Sequence, residues 1–338
     1  MMTDRKIVFL AHDPGGCEAL YPVYQKLQVQ SIFFALGPSA RIHPQYASDW
    51  QKVKIVLQKM VECECLAGVV LGRDWGTDLD VLMLAWARKN GIKSIVILDY
   101  WSNYAVSFRD ENGKYHWPDA YLVMDDLARQ EAIAEGVPPD ILHVSGHPGL
   151  DKFCAMGGEY STPDKDVLFL SQPLSRLYGN SLGYTEQGAL ADVCKACQTC
   201  GRKLEVKFHP KDEMSFQQQY QDIAVDGDVD ELIKHYRLVI GMSTMALLHA
   251  VLMRVSVVSY QPGLLGADGC ITNRLGLSHR LNQYEELIDV LSGRVNFFVN
   301  NNRELEELFW LDGQSAKRTA EAVLSIAIKG EIRNGKEL

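Results

Sequence analysis

The sequence predicts an α/β protein made of two parallel-sheet domains, and three observations carry that expectation. Apolar runs of four to six residues recur along the chain, each closed by Gly, Pro, Ser or a charged residue and followed by a helix-length segment. Such runs, without apolar–polar alternation, suit strands buried on both faces, which is the condition of a parallel sheet. The strand–helix rhythm stops near residues 155–165, a stretch rich in Gly, Ser and Pro, and then starts again. The length of 338 residues fits two domains at ~100–200 residues each. The expected boundaries are 1–155 for a first domain, 156–310 for a second, and 311–338 for a C-terminal helix crossing back to the first. Two such domains are expected to face each other across a cleft.

Residues 6–11 form the first expected strand, which breaks at His12-Asp13-Pro14-Gly15-Gly16 before a helix over 18–27. A glycine-rich turn between strand and helix suits an anion or a sugar hydroxyl. The spacing is not the G-x-G-x-x-G dinucleotide fingerprint, and no P-loop lysine follows. His12 and Asp13 stand where a catalytic base would, although an Asp-Pro-Gly turn without chemistry accounts for the same residues. Strands follow at 31–36 and 67–72, the latter leading through Arg73-Asp74-Trp75-Gly76-Thr77-Asp78 into an apolar helix to residue 88. The strand at 94–98 ends in Asp99-Tyr100-Trp101-Ser102-Asn103-Tyr104. An acid, three aromatics and an amide at a strand's carboxyl end are what a sugar platform needs; aromatics packed beneath a lid give the same pattern. Asp99 therefore joins Asp13 and His12 as a candidate catalytic group, and Gly15, Gly16, Tyr100, Trp101 and Asn103 are candidates for substrate or acceptor contact. Strands at 120–124 and 141–148, with a helix over 126–135 between them, complete the first domain.

Past the linker, a strand at 167–170 runs into Ser171-Gln172-Pro173-Leu174-Ser175, followed by a helix through 189–199. The strand Leu204-Glu205-Val206-Lys207-Phe208 then delivers Lys207 and His209 to a carboxyl end, and Pro210 keeps the backbone from continuing the ladder. Thirty residues on, Leu238-Val239-Ile240 gives way to Gly241-Met242-Ser243-Thr244 and a helix. Ser243 and Thr244 there would cap the helix and present hydroxyls and amides to an anion. Lys207, His209, Ser243 and Thr244 are thus phosphate-binding candidates. A strand at 255–260 closes on Gln261-Pro262-Gly263, Asp268 and Asn273 follow as weaker pocket candidates, and 304–328 is an amphipathic helix.

Composition narrows the class. A formal charge of −9 and a pI near 5.5 argue against a general nucleic-acid or anionic-membrane binder. No run approaches the ~18 apolar residues of a membrane span, and the start lacks a signal-peptide cleavage pattern. Eight cysteines without such a signal read as reduced thiols in a cytoplasmic protein. Cys194-x-x-Cys197-x-x-Cys200 drifts around a helix by about 60° per step, so no metal site is expected there. Cys63 and Cys65 are an isolated pair, and His249, inside an apolar helix, reads as a packing residue.

The pieces in residues 167–263 resemble, in order, the nucleotide-binding half of GT-B glycosyltransferases. More narrowly, Gln172-Pro173, Lys207-x-His209-Pro210 and Gly241-x-Ser243-Thr244 resemble motifs of bacterial sialyl- and polysialyltransferases and capsule Kdo transferases, which use CMP-activated sugars. The two-domain plan also resembles UDP-N-acetylglucosamine 2-epimerases and glycerophosphotransferases, and residues 6–150 resemble uncharacterised proteins of polysaccharide biosynthesis. The acid-acid-Gly motif of the sialyltransferases is absent, with Asp13-Pro14-Gly15 only a loose substitute. The His-Val-Glu-Ala-Gly-like strand end of the epimerases is replaced by Leu98-Asp99-Tyr100-Trp101. The resemblance implies a metal-independent GT-B transferase moving a sugar, CMP-linked by preference and UDP-linked otherwise, to a glycan or lipid-linked acceptor in surface-polysaccharide synthesis. It adds Gln172, Pro173, Ser175 and Pro210 to the phosphate-binding set. Two alternatives are a sugar-nucleotide 2-epimerase and a catalytically silent binding subunit of a capsule assembly complex. Peripheral membrane contact and a homodimer fit the same picture; nucleic acid does not.

Overall fold

The computed structural model describes residues 5–74, 77–154, 163–295 and 310–329. The chain divides into two compact units, residues 1–155 with 303–338, and residues 156–302. Most of the linker expected near 155–165, and the start of the amphipathic segment at 304, lie outside the described residues.

The first unit is a six-stranded parallel sheet of β1 (Lys6–Ala11), β2 (Ser31–Ala35), β3 (Leu66–Gly72), β4 (Lys93–Ile97), β5 (Ala120–Val123) and β6 (Leu142–Val144). The spatial order is β2-β1-β3-β4-β5-β6. Every residue of β3 is buried, and all of β1 after Lys6. Helices cover both faces, and this explains why these strands read as unbroken apolar runs. The helices start where short polar side chains cap them: Asp49 accepts from Lys52 N–H and Asp125 from Ala128 N–H, each bond worth ~1 kcal/mol. The C-terminal Ser315–Leu324 helix belongs to this unit and buries Ala316, Thr319, Ala320 and Val323. Its first amides, of Ser315 and Ala316, are held by the Asp151 carboxylate at 3.0 and 2.8 Å.

The second unit is a five-stranded parallel sheet of β7 (Lys165–Leu170), β8 (Leu204–Lys207), β9 (Tyr236–Gly241), β10 (Ser256–Tyr260) and β11 (His279–Leu281), ordered β11-β10-β9-β7-β8. Its core joins Val167, Phe169, Val206, Ile240 and Val258 from the strands to Ala189, Leu190 and Val193 of the Glu186–Thr199 helix. The three-residue β11 carries no apolar run in the sequence and went unread there.

The strand orders fix where ligands can approach. In the first sheet the chain reverses direction between β1 and β3, and in the second between β7 and β9. Open parallel sheets bind ligands at the carboxyl ends of strands beside such a reversal.

Among the cysteines, Cys63 and Cys65 are joined as a disulfide, which corrects the expectation of eight reduced thiols. The two lie one residue apart in a tight turn, with Cα atoms 5.3 Å apart, within reach of a disulfide. No metal-ligand grouping among the described residues includes Cys194, Cys197 or Cys200.

Candidate functional site

In the second unit the expected phosphate-reading residues fall at the ends of β7, β8 and β9. The residue after β7, Ser171, is followed by Gln172, whose Oε1 accepts the Ser243 N–H at 2.8 Å and so spans the reversal point. Thr244 caps the Met245–Leu252 helix, its Oγ1 accepting from Ala246 N–H at 3.3 Å. The Leu247 N–H of the same turn donates to the Thr244 carbonyl at 3.1 Å. At the end of β8, the turn around Pro210 locks His209: its N–H donates to Asp212 Oδ2 at 2.8 Å, and Lys211 N–H donates to its Nδ1 at 3.0 Å. With Nδ1 an acceptor, the proton of the neutral ring sits on Nε2. Burial pushes the Asp212 carboxyl up to about 6, partly offset by the Ser171 hydroxyl. The Lys211 N–H thus sets the His209 tautomer, while Asp212, a residue that the sequence reading passed over, holds the His209 backbone N–H.

Two expected phosphate ligands are corrected. Ser175 donates its hydroxyl to Glu186 Oε1 at 2.5 Å, and its N–H to Oε2 at 2.8 Å. The hydroxyl is thus spent on a buried carboxylate, which also repels phosphate. Pro173 is buried beside it and has no N–H to offer. Lys207 ends β8 with Nζ 3.8 Å from Asp226 Oδ1, on an exposed loop. His249 is buried and pairs through Nδ1 with Asp230 Oδ1 at 2.7 Å, the packing role expected of it. Asp268 is fully engaged by Gln261, the Cys270 N–H and Asn273.

In the first unit, the ends of β1, β3 and β4 gather an unusual density of charge. Asp13 holds the N-cap position of the Pro14–Lys26 helix, yet its side chain makes no capping bond. It turns instead to His12, whose Nδ1 lies 2.9 Å from Asp13 Oδ1 and 3.0 Å from Asp74 Oδ1. Asp13 first, then Asp74, hold the imidazolium and raise its pKa to about 9. His12 is therefore already protonated at neutral pH, which corrects its expected role as a base. Asp13 is committed to the same pair.

Asp99 occupies the place that Asp13 leaves. A Cβ added at Gly15 would stand 2.3 Å from Asp99 Oδ2, so the carboxyl lies directly over the first turn of the helix. Burial raises its pKa to about 7; the Arg73 charge opposes the shift and Asp13 adds to it. A carboxyl in that range can both take up and return a proton near neutral pH. Gly15 leaves it that room. Gly16 has a different duty: a Cβ there would meet the Arg73 carbonyl oxygen at 2.7 Å, so it lets the helix close on β3.

The loop after Asp99 is fixed from beneath. Arg73, 6% exposed, donates to the backbone oxygens of Asn103 at 2.6 Å and Tyr104 at 3.3 Å and to the Tyr121 hydroxyl. Its guanidinium also lies 5.0 Å from the Phe108 ring centre and 4.0 Å from Asp80. Burial raises Asp80 to about 7 despite that neighbour. Trp101 is corrected from sugar platform to packing: it is 1% exposed, donates its indole N–H to Asp125 and stacks on His147. Tyr100 and Asn103 are partly exposed on the same loop, and Asn103 takes a positive φ of 56°. Arg73, Asp74 and Asp80 were missed as site residues because they follow a strand with no recognised motif. Knowing that the chain reverses between β1 and β3 would have singled them out.

No family model matches the chain, and no curated protein matches it in sequence. Solved structures do match it in fold. The UDP-GlcNAc 2-epimerase of Methanocaldococcus jannaschii, in complex with UDP-GlcNAc and UDP, has a TM-score of 0.67 at 14% identity, over 95% of this chain and 99% of that one. The S. aureus MnaA–UDP structure scores 0.66 at 11% identity, over 99% and 100%. Acinetobacter baumannii MurG scores 0.52 at 11%, over 96% and 100%. The fold is therefore that of the GT-B-type proteins and the UDP-GlcNAc 2-epimerases, two parallel-sheet α/β domains in one chain.

Proposed function

We propose that the chain is an enzyme acting on a nucleotide-linked sugar, and that it is an isomerase of the UDP-N-acetylglucosamine 2-epimerase kind. The observation that carries this reading is the placement of Asp99, a carboxyl with a pKa of about 7 set over a helix start at a switch-point edge. Inverting a carbon requires one group to take a proton and the same or another to return it, and a carboxyl poised near neutrality does both. The second unit carries groups suited to the nucleotide. His209 Nε2, the Ser243 and Thr244 hydroxyls and the start of the Met245–Leu252 helix hold the phosphates and stabilise charge as the bond to the sugar weakens.

The fuller likeness to structures of 2-epimerases than to MurG favours isomerisation over transfer. The UDP and UDP-GlcNAc in those structures' names favour a uridine over a cytidine nucleotide. A second reading, transfer from a CMP-linked donor to a glycan hydroxyl, rests on the His-Pro and Ser-Thr motifs alone. Incubation with UDP-GlcNAc and no acceptor, followed by proton NMR, tests the proposal. A new epimer supports it; turnover seen only when a glycan acceptor and a CMP-sugar are added favours transfer. Binding without turnover under either condition favours the silent subunit.

A further inference from the structure

The end of β3 holds a buried charge that proton transfer by Asp99 does not use. The Asp74 side chain is fully shielded from solvent, and neither of its oxygens receives a hydrogen bond among the described residues. Its Oδ1 lies 3.0 Å from His12 Nδ1, but that nitrogen has a single proton, directed at Asp13. Arg73, the adjacent residue, is turned to Asn103, Tyr104 and Tyr121 and does not compensate it. A buried carboxylate with no donor is costly, and it persists where a cation or a proton fills the gap.

The geometry around it suits a cation. His12 Nδ1 and one oxygen each from Asp13 and Asp74 lie within 4.8 Å of one another. The separations from Nδ1 are 2.9 and 3.0 Å. Ligands at right angles on a metal with bonds of ~2.0–2.2 Å stand ~2.8–3.1 Å apart, so each acid oxygen stands from the imidazole nitrogen at the separation of neighbouring ligands on one ion. Gly37 sets the ring: a Cβ there would stand 2.4 Å from His12 Nε2, so only glycine lets that edge of the imidazole lie against the backbone while Nδ1 faces the acids.

We propose that His12, Asp13 and Asp74 bind a divalent cation across the β1–β3 reversal point, of the kind that takes one imidazole nitrogen and two carboxylate oxygens, such as Mn²⁺. Binding releases the Nδ1 proton to solvent, and two carboxylates then balance the 2+ charge. The remaining coordination positions go to water or to oxygens of a bound sugar. This departs from the metal-free expectation of the sequence.

The test uses Mn²⁺ with the chelator-stripped full chain, reading the free ion by electron paramagnetic resonance and stability by thermal unfolding. Manganese is chosen because thiolates such as those of Cys194, Cys197 and Cys200 are poor ligands for it. One equivalent bound per chain, with a rise in Tm, is expected. Asp74→Asn keeps the shape and removes one carboxylate from the three ligands, and the metal-free variant is expected to stay folded, checked by the same thermal unfolding. Its Mn²⁺ affinity falls at least 10-fold and its Tm no longer responds; His12→Gln behaves likewise towards the metal. Failure of the wild type to bind one equivalent overturns the proposal and leaves a proton in the gap. Binding unchanged in both variants overturns it too, by placing the ion elsewhere. Because no turnover is measured, failure of the epimerase assay leaves this result standing.

Discussion

Replacing Asp99 by Asn separates the cost of holding a proton-transfer group from its use. The carboxyl has a pKa of about 7 in the fold against 3.8 for an unperturbed aspartate. An acid with a raised folded pKa favours the native state least when ionised. Its penalty is absent below pH 3.8, grows as pH rises towards 7, and is complete above that. Three pK units correspond to about 4 kcal/mol as an upper bound, of which roughly 2–3 kcal/mol develops between pH 5 and pH 8. Asn has the same shape and no charge to bury. Asp99→Asn is therefore expected to be more stable than the wild type at pH 8, with the advantage shrinking towards pH 5, in urea titrations at both pH values. The same variant is expected to lose at least ~10²-fold in turnover, the contribution of a positioned base. A variant that is less stable at pH 8, or that keeps wild-type turnover, refutes the assignment of Asp99 as a strained, working acid–base group.

Three further outcomes follow from the geometry. His209→Ala is expected to weaken nucleotide binding by ~10- to 150-fold, the worth of a hydrogen bond to a charged phosphate, with unchanged unfolding; calorimetric titration with UDP checks it. Ser175→Ala is expected to lower stability by ~1–3 kcal/mol, by leaving the buried Glu186 carboxylate short of a donor, while UDP affinity stays within a factor of about two. A large loss of affinity there would restore Ser175 to the phosphate site. Gly16→Ala forces a methyl against the Arg73 carbonyl and is expected to cost ~1–3 kcal/mol by overpacking, read in the same urea titrations.

The layout of the fold was legible because parallel strands announce themselves. Runs such as those around Val69-Val70-Leu71 and Leu168-Phe169-Leu170 are buried on both faces, so they carry no alternation that could be mistaken for a surface sheet. In the second unit, the residues proposed to meet the phosphates also punctuate the strands, so His209, Ser243 and Thr244 could be singled out from spacing alone. The first unit was harder because its chemistry depends on which strands are neighbours. Asp13 looks like the working acid from sequence, being next to a Gly-Gly turn. Only the approach of β3 shows that the His12 it pairs with is shared with Asp74. Only the seating of β4 beside β3 brings Asp99, 84 residues after Gly15 in sequence, over the start of the helix. Trp101 shows the reverse error: an aromatic at a strand end resembles a sugar platform until Asp125 and His147 are seen to enclose it.

The central claim is that the chain moves a proton on a nucleotide-linked sugar without needing an acceptor, and its most direct test is proton NMR of UDP-GlcNAc incubated with the enzyme in D₂O. The account predicts a second anomeric signal from the 2-epimer, loss of the proton at the inverted carbon through exchange with solvent, and neither change with Asp99→Asn. An unchanged spectrum with folded wild-type protein and demonstrably bound nucleotide would contradict it.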